Sequence, residues 1–265
     1  TRIKFSGFSG NSDRFGDQVK FADINNDNYD DAIISAPVAW YEMDGSGRGS
    51  IYIIYGAESP RSTIDARTSS NVVIEGVNPF DHIGKYLETG DWNNDGTIDL
   101  AFSSPHWPGA GRNGQRGKVW ILYGNKKLSN FYNVSLKDGN LSSFAGHSQS
   151  DEMAYLASGD INGDNIADLI VTAGKYDNPN IVFPQENNFG VIYILYGPIV
   201  SGQHLNDIEN YNNIQHIFPN DNNIGMNRVY MFIESMFGKS IGVLDLNNDG
   251  RDDMIIGMAG YSRWP

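Results

Sequence analysis

The nonapeptides DINNDNYDD (23–31), DWNNDGTID (91–99), DINGDNIAD (160–168) and DLNNDGRDD (245–253) repeat one acidic pattern four times along the chain. Each has Asp at its first, fifth and ninth positions and Asn at its third. Oxygen-bearing side chains on alternate residues of a tight loop can converge on one point, as a hard cation with about six to eight oxygen ligands requires. The pattern therefore predicts four Ca²⁺ sites, one in each loop.

The sixth and seventh positions indicate how the backbone of each loop runs. The sixth is always Asn or Gly, the residue types that tolerate positive φ where a loop turns back sharply. The seventh varies freely, which indicates that only its backbone carbonyl is used. The predicted ligands are Asp23, Asn25, Asp27, Asp31 and the Tyr29 carbonyl; Asp91, Asn93, Asp95, Asp99 and the Thr97 carbonyl; Asp160, Asn162, Asp164, Asp168 and the Ile166 carbonyl; and Asp245, Asn247, Asp249, Asp253 and the Arg251 carbonyl.

An EF-hand is the obvious alternative for such loops, and the spacing excludes it. An EF-hand loop lies between two helices and needs a bidentate Glu at its twelfth position. The twelfth positions here are Ile34, Phe102, Val171 and Ile256. The flanking sequences, such as DAIISAP and DLIVTAG, are typical of strands. The sequence therefore predicts loops between two strands.

Composition and charge limit the class of partner and the compartment. The chain has 32 acidic and 19 basic residues, a formal net charge of −13. Twelve of the acids are the predicted Asp ligands of the four loops, so four bound Ca²⁺ would reduce the net charge to about −5, and nucleic acid is not an expected partner. No apolar run approaches the roughly 20 residues of a membrane helix, so we expect no membrane insertion by this segment. Weak, numerous Ca²⁺ sites suit an extracellular or cell-surface location. Two sequons, at Asn133 and Asn140, predict glycosylation there if the source is eukaryotic.

Further repeated elements accompany the loops. GSIYIIYG (49–56), GKVWILYG (117–124) and GVIYILYG (190–197) each predict a buried strand bounded by glycines. Phe15-Gly16, Ile83-Gly84 and Phe237-Gly238 place a glycine seven residues before the first Asp of a loop, whereas the third repeat has Glu152-Met153. Outer strands are expected at TRIKFSG (1–7), NVVIEGV (71–77) and IQHIFP (214–219). Each unit thus predicts a four-stranded antiparallel blade.

With its Phe-Gly pairs, its metal loops and the tripeptides SAP (35–37) and SSP (103–105), the chain resembles the FG-GAP repeats of the integrin α-subunit β-propeller. The resemblance implies an all-β, seven-bladed propeller with Ca²⁺ between the first two strands of several blades. About four blades are expected in these residues, at about 8–77, 78–140, 145–219 and, in part, 230–265, with 1–7 as a closing outer strand. Applied to Asp253, the step from loop to aromatic strand passes residue 265, which predicts part of a larger propeller. A self-contained four-bladed ring is the alternative.

Strand alternation places the loops between the second and third strands on the face opposite the calcium loops. These loops contain aromatic and imidazole side chains, which a protein or glycan ligand could contact. The alternative is that each side chain folds back onto the blades. The candidate partner-binding residues are Trp40, Tyr41, His106, Trp107, Tyr176 and Phe183.

No HExxH, GxSxG or phosphate-binding glycine loop is found, so no catalytic site is expected within these residues. The predicted function is an extracellular, calcium-stabilised β-propeller for adhesion or for protein or glycan recognition. Two alternatives stay open: an accessory propeller of a secreted hydrolase, similar to glycosylphosphatidylinositol-specific phospholipase D, and a structural subunit of a surface appendage. The remainder of the propeller, or another subunit, is a further expected partner.

Overall fold

The computed structural model describes residues 2–4, 13–39, 47–59, 62–108, 115–133, 140–148, 151–176, 190–218 and 237–258. In these ranges the chain forms eighteen strands and only two short helices. The helices are a four-residue α-helix, Ala66–Ser69, and a three-residue 3-10 helix, Ile208–Asn210. The expected all-β class is therefore confirmed.

Fourteen of the strands form four successive antiparallel sheets, each a simple meander. Sheet 1 contains Val19–Ala22 (β2), Asp31–Ala36 (β3), Ser50–Ile54 (β4) and Val72–Glu75 (β6). Sheet 2 contains Leu87–Gly90 (β7), Asp99–Ser104 (β8), Lys118–Leu122 (β9) and Leu141–Ala145 (β11). Sheet 3 contains Met153–Gly159 (β12), Asp168–Ala173 (β13), Val191–Leu195 (β14) and Ile214–Ile217 (β16). Sheet 4 contains Phe237–Leu244 (β17) and Asp253–Met258 (β18).

The first strands of the four sheets lie side by side. β2 contacts β7, β7 contacts β12, and β12 contacts β17. The first strands therefore line the centre of the array. In sheets 1 to 3, the fourth strand of each meander lies farthest from that centre. This is the strand arrangement of propeller blades, whereas the number of blades in a closed ring stays a prediction.

Four further short strands pair in parallel, and two of them join neighbouring repeats, in a way that the sequence pattern did not indicate. They are Arg2–Lys4 (β1), Thr63–Asp65 (β5), Phe131–Asn133 (β10) and His204–Leu205 (β15). β10 leaves the second repeat and pairs in parallel with β6, the outer strand of sheet 1. β15 leaves the third repeat and pairs in parallel with β11 of sheet 2. β5 pairs with β1 in the same parallel sense, and the role of residues 1–7 as a closing outer strand stays a prediction.

β11 itself was missed by the sequence pattern. Its sequence LSSFA lies just beyond the limit of about 140 expected for the second blade. Three of its five residues are Ser or Ala, which weakens the β-branched and aromatic signal that identifies the other strands. All five residues are nevertheless buried, because β9 pairs with one edge of β11 and β15 with the other.

The core lies between the stacked sheets. Ile51, Ile53 and Ile74 of sheet 1 pack against Phe102 and Trp120 of sheet 2. The rings of Phe102 and Trp120 are stacked, with centroids 5.7 Å apart. The aromatic strands β4 and β14 are buried along their whole length, and β9 at every residue except Lys118. Sheets 2 and 3, and sheets 3 and 4, share equivalent clusters.

The third repeat keeps the packing of the Phe-Gly pairs without their sequence. A Cβ atom on Gly49 would lie 2.5 Å from the backbone nitrogen of Ile83. A Cβ atom on Gly117 would lie 2.3 Å from the backbone nitrogen of Met153. Met153 therefore occupies the position of Ile83 and of the Phe residues, one residue later than the glycine alignment suggested. Glu152 shares the positive φ of Arg14 and His82 at the preceding position.

The two end sheets expose apolar side chains on the faces that point away from the stack. Phe21 of β2 is 66% exposed and pairs across the strands with Ala32, which lies on the face of sheet 1 opposite sheet 2. Ile255 of β18 is 58% exposed, on the face of sheet 4 opposite Ile256 and the cluster shared with sheet 3.

Candidate metal sites and the opposite face

Each acidic nonapeptide joins the first and second strands of its sheet. The sixth positions have φ values of 70° at Asn28, 84° at Gly96, 65° at Asn165 and 84° at Gly250, which confirms the predicted reversal. The fourth position is also left-handed, at Asn26, Asn94, Gly163 and Asn248. The sequence signal for this second reversal was present, because the fourth position is also only Asn or Gly.

The first Asp of every loop accepts two backbone hydrogen bonds from the turn. Asp23 Oδ1 accepts from the nitrogen of Asp27 at 3.0 Å, and its Oδ2 accepts from Asn28 at 2.7 Å. Asp91, Asp160 and Asp245 make the same pair of contacts. The side chain therefore folds the loop around its own carboxylate.

The third and fifth positions face each other. Asn25 Nδ2 donates to Asp27 Oδ2 at 3.0 Å, and equivalent pairs lie within 2.9–3.0 Å in the other three loops. The fifth Asp also accepts from the backbone nitrogen of the seventh residue, as Asp27 does from Tyr29 at 2.9 Å. In the first loop, Asn25 Oδ1 is buried and has no hydrogen-bond partner. A buried oxygen without a hydrogen-bond donor is energetically costly, so Asn25 Oδ1 is available to coordinate a bound cation.

In the first three loops, the ninth Asp is the buried anchor of the loop. Asp31, Asp99 and Asp168 are 0% exposed. Asp99 Oδ2 accepts from the nitrogen of Trp92 at 3.1 Å, and its Oδ1 accepts from Gly124 at 2.9 Å. Gly56 and Gly197 donate in the same way to Asp31 and Asp168. The glycine that ends each aromatic strand thus connects the third strand to the metal loop, a role that the sequence reading did not assign to it.

The carboxylates of one loop repel one another. Burial raises the pKa of Asp31 to about 6 and that of Asp99 to about 7, and the charges of the first and fifth Asp add to both shifts. Burial raises the pKa of Asp168 in the same direction. A divalent cation among the three carboxylates would relieve this repulsion.

The oxygen donors fit a hard cation. Each loop supplies three carboxylates and an amide from its predicted ligands. A carboxylate has about four acceptor sites, more than the hydrogen bonds described above use. The unpartnered Asn25 Oδ1 is a further donor. The structure thus brings together the side chains predicted from each nonapeptide, and the donor set favours Ca²⁺ over softer metals.

Each of the first three metal loops accepts a backbone hydrogen bond from the next repeat. The nitrogen of Asn125, just after the third strand of sheet 2, donates to the carbonyl of Ile24 in the first loop at 2.9 Å. Ile199 donates to the carbonyl of Trp92 in the second loop at 2.6 Å. Asp252 donates to the carbonyl of Asp160 at 2.8 Å. Order in one loop is therefore coupled to its neighbour.

The opposite face differs from the expectation at one residue. Tyr176 is only 3% exposed and packs against Tyr193, so its predicted role in contacting a partner is wrong. His106 and Trp107 are half-buried, and Lys118 Nζ lies 4.7 Å from the Trp107 ring centroid. Trp40, Tyr41 and Phe183 lie outside the described residues.

The two sequons have different structural settings. Asn140 Nδ2 donates to the carbonyl of Tyr123 at 2.9 Å, and Asn213 makes the equivalent contact with Tyr196 at 3.3 Å. A repeated structural contact therefore explains Asn140 and argues against its glycosylation. Asn133 ends β10 and is half-buried, and its glycosylation stays a prediction.

A polar cluster outside the loops joins sheet 2 to the third repeat. His147 Nδ1 lies 2.9 Å from Asp207 Oδ2 and 3.3 Å from Glu209 Oε2. Asp207 also caps the 3-10 helix by accepting from the nitrogen of Glu209. The cluster fixes the segment that carries β15.

In the described part of the chain, neither helix is long and apolar enough to cross a bilayer.

Comparison with known proteins agrees with this geometry. The FG-GAP repeat family model matches residues 156–195, which contain the second part of β12, the third metal loop, β13 and β14. The chain is 33% identical over 126 residues to phosphatidylinositol-glycan-specific phospholipase D of Mus musculus, which covers 46% of this chain and 15% of that protein. It is 34% identical over 141 residues to the Dictyostelium discoideum enzyme of the same name, covering 52% and 14%. It is 30% identical over 165 residues to human integrin alpha-8, covering 60% and 14%.

The chain spans less than a fifth of the length of these curated relatives. The resemblance drawn from the metal loops and the Phe-Gly pairs is therefore confirmed: residues 156–195 match an FG-GAP repeat, and the chain is similar to integrin alpha-8 and to phosphatidylinositol-glycan-specific phospholipase D.

Proposed function

We propose that the chain is a calcium-stabilised β-propeller segment of an extracellular protein, and that it serves adhesion or the recognition of a protein or glycan. The observation that supports calcium binding is the common geometry of the four acidic loops, together with the unpartnered Asn25 Oδ1. The ligands would be the side chains of positions one, three, five and nine and the carbonyl of position seven. When bound, Ca²⁺ would neutralise the carboxylates and hold both ends of the loop.

The calcium is proposed as structural. Extracellular sites of this kind have dissociation constants of roughly 10⁻⁴ to 10⁻³ M, so at about 1 mM Ca²⁺ each would contribute about 0.4–1.4 kcal/mol to stability. Four sites together would contribute about 2–6 kcal/mol, a large share of the free energy of unfolding of an ordinary domain.

The test is a thermal melt of the protein in calcium and after exhaustive chelation. We expect chelation to lower the melting temperature and Ca²⁺ to restore it, with Mg²⁺ less effective because Mg²⁺ demands a tighter octahedral site. An unchanged melt after chelation would contradict the calcium assignment. Intrinsic tryptophan fluorescence gives a second readout, because the buried Trp92 is the second residue of a loop.

A larger propeller is proposed around these sheets. The exposed Phe21 and Ile255, on opposite end faces of the stack, support further blades, or another subunit, covering those faces. The resemblance to integrin α-chains suggests seven blades in all. Limited proteolysis of the native protein tests this: these two faces should be protected there and accessible in the isolated 265-residue chain.

A second candidate is an accessory propeller of a secreted hydrolase. It is favoured by the sequence similarity to phosphatidylinositol-glycan-specific phospholipase D in two distant organisms. The intact mass of the native polypeptide, followed by sequencing of its peptides, separates the two candidates. A hydrolytic domain in the same polypeptide would favour the accessory role, and its absence would favour the adhesion or recognition role.

A further inference from the structure

A cavity of about 770 Å³ opens on the face opposite the metal loops. Its walls come from the beginnings of the first strands and from the segments that follow the second strands. All four repeats contribute to it, since Arg14, Lys85, Lys175 and Lys239 each come from a different repeat. A cavity of this size accommodates a small ligand of one or two rings.

The charge of the cavity is opposite to that of the chain. The protein carries a formal net charge of −13, yet four of its 19 basic residues meet here. Lys85 pairs with Asp17 at 2.9 Å, and Lys175 pairs with Glu152 at 2.7 Å. Arg14 and Lys239 are exposed and form no ion pair with any described residue. These two cations therefore give the cavity a positive excess.

Neutral hydrogen-bonding groups and aromatic rings complete the lining. His82 Nδ1 and His106 Nδ1 lie 2.9 Å apart. Burial lowers the pKa of His82 to about 4, so this ring is neutral at physiological pH. The rings of Tyr86 and Tyr155 lie together, with centroids 4.3 Å apart. They give the cavity an aromatic surface beside its cations.

We propose that this cavity binds an anionic sugar, with its carboxylate or sulfate group held by one of the two exposed cations, Arg14 or Lys239, and its ring against Tyr86 and Tyr155. Arg and Lys recognise oxyanions through charge-assisted hydrogen bonds, and the apolar face of a sugar ring packs on aromatic rings. The inference deepens the proposed recognition role, on which it rests, by naming the class of ligand. Lys239 lies in β17, and Arg14, Lys85 and Lys175 lie in the turns next to β2, β7 and β13. The sheets therefore fix the backbone around the cavity before the ligand enters.

The experiment is calorimetric titration of the calcium-loaded 265-residue protein with glucuronic acid, glucose 6-sulfate and glucose. We expect both anionic sugars to bind and glucose to bind at least tenfold more weakly. The stronger of the two anionic probes identifies carboxylate or sulfate as the natural group. Inorganic sulfate should bind more weakly than the sulfated sugar, and equal affinity would contradict the contact with the tyrosine rings.

Two variants assign the binding to this cavity. Arg14→Gln combined with Lys239→Gln should reduce affinity for the anionic sugar at least tenfold without changing the melting temperature, because both side chains are exposed. Lys127→Gln removes one exposed cation near the metal loops and should leave binding unchanged. Equal binding by the double variant, or equal binding of glucose, would overturn the proposal.

The proposed function and this inference can fail separately. If no probe binds while chelation still lowers the melting temperature, the anionic-sugar site is wrong and the calcium-stabilised propeller stands. If glucose and the anionic sugars bind equally, recognition stands and the charge argument falls.

Discussion

At the scale of single residues, the ninth Asp of the first three loops has two roles that its place in the sequence cannot separate. The nonapeptide predicts a metal ligand. The structure adds a buried carboxylate that accepts backbone N–H groups from its own loop and from the end of the third strand, as Asp31 does from Ile24 and Gly56. This second role follows from the sheet, which brings residue 56 beside residue 31, and no local pattern contains that information.

Asp31→Asn tests this role. An amide in place of the carboxylate turns an NH₂ group toward one of two backbone donors, which leaves a buried N–H unsatisfied at a cost of about 1–3 kcal/mol. We expect a lower melting temperature both in calcium and after chelation, measured by circular dichroism. A loss confined to calcium buffer would show that the residue acts only as a ligand.

Asp30→Asn is the matched control. Asp30 is the neighbouring residue at the eighth position, is exposed, and is not a predicted ligand. Its substitution removes the same charge from the same loop. The free energy of unfolding of this variant should stay within about 0.5 kcal/mol of that of the parent protein.

At the scale of elements, sheet packing depends on close approach of backbones. The glycine before each aromatic strand lies against the next repeat at the position of its Phe-Gly pair, with φ values of 85° at Gly49, 74° at Gly117 and 80° at Gly190. A side chain there would meet the backbone of Ile83, Met153 or Phe237. These glycines set the distance between neighbouring sheets.

Gly117→Ala should therefore destabilise the protein strongly. The left-handed backbone alone costs a non-glycine residue about 1–3 kcal/mol, and the Cβ would lie 2.3 Å from the nitrogen of Met153. Chemical denaturation measures the loss. Gly174→Ala is the control, because a Cβ there meets nothing within 4 Å. Equal stability of the two variants would contradict the role assigned to the close approach.

The strands that the sequence predicted and those it missed differ in what determines them. The aromatic strands, such as Lys118–Leu122, follow from β-branched and aromatic residues between glycines. The two- and three-residue strands β5, β10 and β15 have no such pattern, because they form only where an edge of the preceding sheet or strand is available. The acidic loops were predicted residue by residue, since their chemistry is local. Burial of Tyr176 was not, because it depends on rings from other strands, such as Tyr193 and Phe218.

At the scale of the whole molecule, the described sheets do not form separable modules. Each apolar cluster between sheets contains residues of two neighbouring repeats, and β10 and β15 place hydrogen bonds of one repeat in the sheet of another. Unfolding one sheet would expose the face of the next. We therefore expect the sheets to unfold together.

Tyr132→Ala tests this cooperativity. Tyr132 belongs to the second repeat in sequence, lies in β10 on sheet 1, and is 4% exposed in the cluster between the two sheets. Its truncation should cost about 3–5 kcal/mol and lower one common calorimetric transition. Phe131→Ala, at a neighbouring residue that is 51% exposed, should change that transition little. A separate early transition in the Tyr132 variant would contradict the expected coupling.

The strand that each repeat contributes to its predecessor also bears on how such chains can evolve. Because β5, β10 and β15 arise at the same place in successive repeats, a duplicated repeat carries both an outer strand that accepts a neighbour and a short strand that reaches back. Gene duplication would therefore copy both halves of the junction at once. An added or deleted repeat would meet complementary partners on both sides, so the number of repeats can change in one genetic event without a new interface being invented.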